Sequence, residues 1–314
     1  MSATSAHQVS AADAADGGRV VRFIRRRPMV SFLLWAYTVG QVLPWSLAVA
    51  GLTDRAWLLS GAVILSTLIG LLLPAVVITR IADGPEAVRG LWRRAVKVRV
   101  GLIWYAAAFL LVPAVTVAIG VLLGGPPPDR SAGFLLGALG PHLVLPLLVT
   151  FVLVNWWEEV AWMGFVQARL QDRRGPLLAA LIVAPLFALQ HSALVAGQGV
   201  LAGAVLLVAL TALAVPFRIA IGWAYNRTGS LFLVGLVHAM GNAATGGDGI
   251  SEGYLRHLYP GNNNVTMAHL LAMFLLGLLV LIVTRGRLNG AGPPTPRERS
   301  RRSGATVHET GDES

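Results

Sequence analysis

The chain contains no cysteine in 314 residues. That excludes disulfides, thiolate nucleophiles and cysteine-ligated zinc or iron–sulfur centres. Charge is also scarce: Asp, Glu, Lys and Arg make up 13% of the residues, where a soluble domain has about a quarter. Lysine is represented by Lys97 alone. What fills the space is hydrophobic sequence, 55% of the chain with a mean hydropathy of +0.66. It falls in long runs and not in short alternations. This pattern excludes a soluble globular domain and predicts an all-α polytopic transmembrane bundle.

A helix needs about 20 apolar residues to cross the hydrocarbon core. Runs of that kind cover 29–50, 57–79, 100–123, 143–168, 177–195, 200–222, 229–245 and 266–284, which predicts eight spans. The piece 131–142 is apolar but too short to cross, and Pro141 is expected to break it from the helix that follows. The net charge is +10, and 22 of the 25 Lys and Arg fall before the first span, after the last, or in alternate loops. Arg218 and Arg227 mark the sixth loop. Only Arg55, Arg130 and Arg256 fall on the other side. By the positive-inside rule both termini are cytoplasmic. The positive charge is therefore a topology signal, and without aromatics interleaved among the basic residues nucleic-acid binding is rejected. The segments 1–27 and 286–314 read as disordered tails around a transmembrane domain at 28–285. The apolar run after Arg25-Arg26-Arg27 is too long for a signal-peptide core, so an uncleaved first span is expected. The preference for arginine over lysine suggests a high-GC bacterial genome, hence a multi-pass protein of a plasma membrane.

Two acids stand inside this apolar sequence. Glu158 and Glu159 follow Val154-Asn155-Trp156-Trp157 and precede Val160-Ala161-Trp162-Met163. A carboxylate in the bilayer core costs about 3 kcal/mol or more, so it needs a partner, water or a function. The fourth and fifth spans form a hairpin about Gln171–Pro176, with Glu158 about 15 residues before its middle and His191 about 17 after it. Both then lie roughly 20 Å from the turn at 1.5 Å per residue. His238, about 10 residues beyond the next cytoplasmic turn, has a comparable depth, and Asn242 at i+4 shares its face. Phe187 precedes His191 by one turn and can pack on its ring. Asn155, one of the two glutamates and Trp162 trace one helical stripe, while Glu158 and Glu159 diverge by about 100°.

An acid, two imidazoles and an amide at one depth suit hydrolysis. The carboxylate takes a proton from a water that attacks a peptide carbonyl, and a histidine positions that water or protonates the leaving amine. The second histidine and Asn242 stabilise the oxyanion. An alternative set, Glu158, His191 and His238, would hold zinc with a water in the open position, although no His-Glu-x-x-His pair is present. No cofactor is required by the sequence. His142 and His269 read as interfacial or structural histidines, and the Trp156, Trp157 and Trp162 cluster as packing. No serine has a base partner.

The series Glu158-Glu159, Phe187-x-x-x-His191 and His238-x-x-x-Asn242 resembles the CPBP family, which includes CAAX prenyl endopeptidases and Abi-type bacteriocin-processing or self-immunity proteins. The segment Gly222–Leu231 is similar to the family's approach to its last histidine. The resemblance covers about 140–245. It implies an intramembrane protease, of a kind sometimes described as a metalloprotease, acting on peptide or membrane-protein substrates in the lipid bilayer. In that reading Glu158 activates water with Glu159 assisting, His191 orients and polarises it, and His238 and Asn242 form the oxyanion site. The family pattern is Glu-Glu-x-x-x-Arg; here Met163 stands in place of the arginine, which leaves Glu159 without that partner. Two other readings stay open: a family member with weakened catalysis that acts through partners, and a proton-coupled, transport-associated membrane protein. For the last, paired Gly/Pro-broken spans in corresponding halves are missing.

Overall fold

Proline in a first helical turn has no N–H to waste and a φ already suited to the helix. Pro28, Pro85 and Pro176 each start a helix in this way. In the computed structural model, which describes residues 18–246 and 252–288, the helices are α1 Pro28–Val49, α2 Ala56–Ala82, α3 Pro85–Ala95, α4 Leu102–Gly124, α5 Ala132–Arg174, α6 Pro176–Gln190, α7 Ser192–Gln198, α8 Val200–Thr228, α9 Leu231–Thr245, α10 Tyr254–Leu258 and α11 Asn263–Thr284. Residues 18–26 of the expected N-terminal tail are also helical, and no strand occurs among the described residues. The rest of that tail, to residue 17, and the C-terminal tail from 289 lie outside the described residues.

Six helices (α1, α2, α4, α5, α8 and α11) are long and apolar enough to cross a bilayer. Helices α6 and α7 make a seventh if taken together, with a 54° bend between them. The eighth expected span, 229–245, is α9. Its 15 residues extend about 22 Å, short of the roughly 30 Å hydrocarbon core. Most of its residues are buried. It is an apolar helix enclosed by α4, α5, α8 and α11, and composition alone cannot tell such a core helix from a span. The outer faces are those of a protein in lipid: Leu122 on α4, Val200 and Val208 on α8, and Val283 on α11 are exposed. Between helices the contacts are made by small residues, as on α6, where Ala179, Ala180, Ala184 and Ala188 are buried and let backbones approach closely.

Pro141 does not break the chain. Helix α5 runs unbroken for 43 residues, and π-helical turns occur at Gly140–Val144, Phe151–Asn155 and Trp162–Gln167. A wider turn relieves the clash of a proline ring with the preceding turn. His142 still bonds Ala138 O through its N–H at 2.9 Å. The second and third π turns flank Trp156–Ala161, the turn that carries both glutamates.

The position of α9 against α5 is fixed at its start and at its crossing. Ser230 caps α9, accepting the Leu233 N–H at 3.0 Å and donating its hydroxyl to Lys97 O at 2.5 Å. The Trp156 indole ties α5 to the end of α3 by donating to Ala95 O at 2.9 Å. The helices cross at Gly235: a Cβ built there would lie 2.8 Å from Trp156 Cα. Only glycine permits that approach.

Candidate active site

Four helices bring polar side chains into this apolar interior. Asn155, Glu158 and Glu159 come from α5, Gln190 and His191 from the end of α6, Arg218 from α8, and His238 and Asn242 from α9. Glu158, Glu159, His238 and Asn242 are linked by direct contacts or through Asn155; His191 adjoins them through Phe187, whose ring packs on both histidines, and its neighbour Gln190 reaches Glu158. His142 stands apart, whereas His269 borders the site through Phe217, at 6.4 Å between ring centroids. His142 stacks on His257 with ring centroids 3.7 Å apart, and the buried His269 packs over Gly241.

Glu158 is 5% exposed and is held by two amides. Asn155 Nδ2 donates to its Oε2 and Gln190 Nε2 to its Oε1, both at 3.3 Å. Neither amide is free to turn round. The Trp162 indole N–H donates to Gln190 Oε1, and Asn242 Nδ2 donates to Asn155 Oδ1 at 3.3 Å. Each amide therefore presents N–H to the carboxylate because its oxygen is engaged elsewhere. The carboxylate is fixed without a cation bonded to it.

Glu159 is fully buried and differs in kind. Arg218 Nη1 lies 3.1 and 3.0 Å from its two oxygens, and His238 Nδ1 lies 3.0 Å from Oε1. The sequence reading left Glu159 without a guanidinium and put Arg218 in a cytoplasmic loop. Both are corrected. Arg218 is wholly buried inside α8, which continues past the expected end at 222 to Thr228 and stops only where Gly229 takes a left-handed φ of 64°. The signal was available: Arg218 has apolar neighbours on both sides, whereas the polar run Asn226–Gly229 is the true turn. Met163 is also fully buried. Gln167 completes the arrangement, its Oε1 accepting from Arg218 Nε at 3.0 Å and its Nε2 donating to Arg218 O at 3.3 Å.

His191 sits at the bend between α6 and α7, with φ −88° and ψ 8°, the sparsely allowed bridge region where active-site residues recur. Its Nδ1 lies 2.9 Å from Phe187 O. A carbonyl only accepts, so this nitrogen carries the hydrogen and Nε2 is left with its lone pair. Its ring packs on Phe187 at 4.9 Å, as expected. Phe187 and Phe217 also pack on His238, at 5.9 and 5.0 Å between centroids.

The zinc set does not converge here. Among the described residues no three His, Asp or Glu side chains are placed to hold a metal ion. Both oxygens of Glu158 face amide donors, and the nearest approach of Glu158 to His238 Nδ1 is 4.0 Å. The arrangement offers instead a dry carboxylate, one imidazole with an open lone pair, and a second imidazole backed by an anion.

No curated protein and no solved structure matches the chain. Residues 140–244 match the Rce1-like family model, described as type II CAAX prenyl endopeptidase Rce1-like, and this matched segment carries every side chain of the site.

Proposed function

We propose that the protein is an intramembrane endopeptidase that hydrolyses peptide bonds with a water activated by Glu158, without a metal. The observation that carries this reading is the contrast between the two buried glutamates. Glu159 is paired directly with Arg218 at 3.0 Å, while Glu158 accepts hydrogen bonds from neutral amides, with His238 Nδ1 further off at 4.0 Å. Its oxygens keep lone pairs that can take a proton from a bound water. The endopeptidase family match over 140–244 supports a peptide substrate.

Glu158 takes one proton from water, and the resulting hydroxide adds to the scissile carbonyl carbon. The Nε2 lone pair of His191 accepts the water's other hydrogen and sets its direction of attack. The tetrahedral oxyanion receives hydrogen bonds from His238 Nε2–H and from Asn242, which spends one amide hydrogen on Asn155 and keeps the second. His238 carries hydrogens on both nitrogens before and after this step, because Nδ1 donates to the acceptor-only Glu159 carboxylate at 3.0 Å, which faces its charge. As the C–N bond breaks, protonated Glu158 passes its proton to the leaving amine, which returns the carboxylate to its starting state.

The test is cleavage of peptide and small membrane-protein libraries by the purified protein in detergent. Wild type should cleave, and Glu158→Ala, His191→Ala and His238→Ala should each lose about 100-fold or more, the usual contribution of a proton-transfer or oxyanion group. Equal cleavage by wild type and all three variants would sink the assignment.

A further inference from the structure

We propose that Arg218 is a positioning residue of this site. From α8 it holds Glu159 as the fixed anion that orients the doubly hydrogen-bearing His238 ring toward the oxyanion. The inference rests on the hydrolase reading above and deepens it.

Arg218 is gripped along its length. Nε donates to Gln167 Oε1 at 3.0 Å and Nη1 to both Glu159 oxygens. The guanidinium lies 5.5 Å from the Phe187 ring and 6.0 Å from the Phe217 ring, the two rings that also pack on His238. Its other terminal nitrogen, Nη2, is buried without a hydrogen-bond partner among the described residues. A guanidinium placed only to satisfy its own hydrogen bonds would not leave a buried N–H unmet. Here the orientation that serves Glu159 has won. Removing the cation leaves two adjacent buried carboxylates with His238 between them, 3.0 Å from Glu159 and 4.0 Å from Glu158. The ring then has two competing anions and no single orientation.

The neighbourhood also shows that the cation need not come from α8. Met163, one turn beyond Glu159 on α5, is fully buried. A Cβ built at Gly222, one turn beyond Arg218, would lie 3.9 Å from Met163 Cε and 2.5 Å from Gln167 Nε2. The tip of Met163 therefore abuts the same part of α8 from which Arg218 extends. Exchanging the two side chains, Met163→Arg with Arg218→Met, conserves total volume and charge and delivers a guanidinium to Glu159 from its own helix at i+4.

Three variants decide the matter against a charge pair that serves folding alone. Arg218→Met should lower kcat about 100-fold with KM within about threefold of wild type. The neutral pair Glu159→Gln/Arg218→Met removes the unpaired charge and should fold with a wild-type thermal midpoint, yet stay about 100-fold slow. The exchange variant Met163→Arg/Arg218→Met should recover to within about tenfold of wild type. If Arg218→Met does not fold, the neutral pair and the exchange carry the test. Wild-type kcat in the neutral pair, or a folded exchange variant no faster than the neutral pair, overturns the proposal. Wild type and Glu158→Ala run in the same assay keep the two readings apart. Wild-type turnover no better than Glu158→Ala overturns the hydrolase reading itself, whereas turnover indifferent to Arg218 overturns only this inference.

Discussion

The Trp162 indole N–H donates to Gln190 Oε1, and this decides which end of the Gln190 amide faces Glu158. With its oxygen taken, Gln190 can offer Glu158 only N–H. Trp162→Phe keeps most of the ring's packing against Phe32 and Phe187 and deletes the donor. The amide is then free to turn its oxygen toward the carboxylate. The expected loss is about tenfold in kcat, about 1.4 kcal/mol and close to the net worth of one buried hydrogen bond, with KM unchanged. Gln190→Leu should cost at least as much. Steady-state kinetics of the two variants check this, and a Trp162→Phe enzyme with wild-type kcat would show that Gln190 is oriented by something else.

Arg218 and Glu159 give a stability prediction separate from turnover. Both side chains are fully buried, so solvent does not screen them. Removing either partner strands a buried charge, at a cost of about 3–5 kcal/mol. Arg218→Met and Glu159→Gln should each lower the unfolding midpoint in micelles by that measure, while the double variant, with neither charge, should recover most of it. Additive losses in the double variant would mean that the two groups do not act as a pair.

Much of this site was legible because its helices start from well-marked turns. Gly175-Pro176 and Gly229-Ser230 are unambiguous punctuation, so counting 1.5 Å per residue from them put Glu158, His191, His238 and Asn242 at compatible depths. Arg218 was misplaced for a different reason. Assigning topology by charge sends every arginine to water and overrides the apolar neighbours that flank Arg218 on both sides. The continuous α5 was hidden because π turns follow from packing and leave no fixed residue signature. The stripe expected on α5 nevertheless held: Asn155 bonds Glu158, Trp162 reaches it through Gln190, and Glu159 diverges to Arg218 and His238. The length of α9 was the remaining ambiguity, since a buried core helix and a lipid-facing one share the same apolar composition.

Metal dependence follows from the same geometry. Zinc needs three converging protein ligands and an open position, and the described residues hold no such group. Purified active protein is expected to carry less than stoichiometric metal by elemental analysis and to keep its kcat after exhaustive chelation. Loss of activity on chelation, restored by zinc alone, would contradict the metal-free mechanism while leaving the fold assignment intact.

The crossing of α9 over α5 makes the last prediction. A Cβ on Gly235 would lie 2.8 Å from Trp156 Cα, 3.3 Å from its N and 3.4 Å from Asn155 O. All three are backbone atoms, which no rotamer change can move aside. Gly235→Ala must therefore part the helices, at an overpacking cost of about 1–3 kcal/mol. His238 lies one turn further along α9 and Asn242 two turns, and their bonds to Glu159 and Asn155 span this same interface. A displacement of about 1 Å in such a site costs about 100-fold in rate, so the loss of kcat should exceed what the stability change alone implies at a temperature where the variant is folded. Gly90→Ala on α3 is the matched control: a Cβ there meets nothing within 4 Å, and alanine in a helix is neutral or slightly stabilising. If Gly235→Ala behaved like Gly90→Ala in both midpoint and kcat, the close crossing would not be what holds the glutamate-bearing and His238-bearing helices of the site in register.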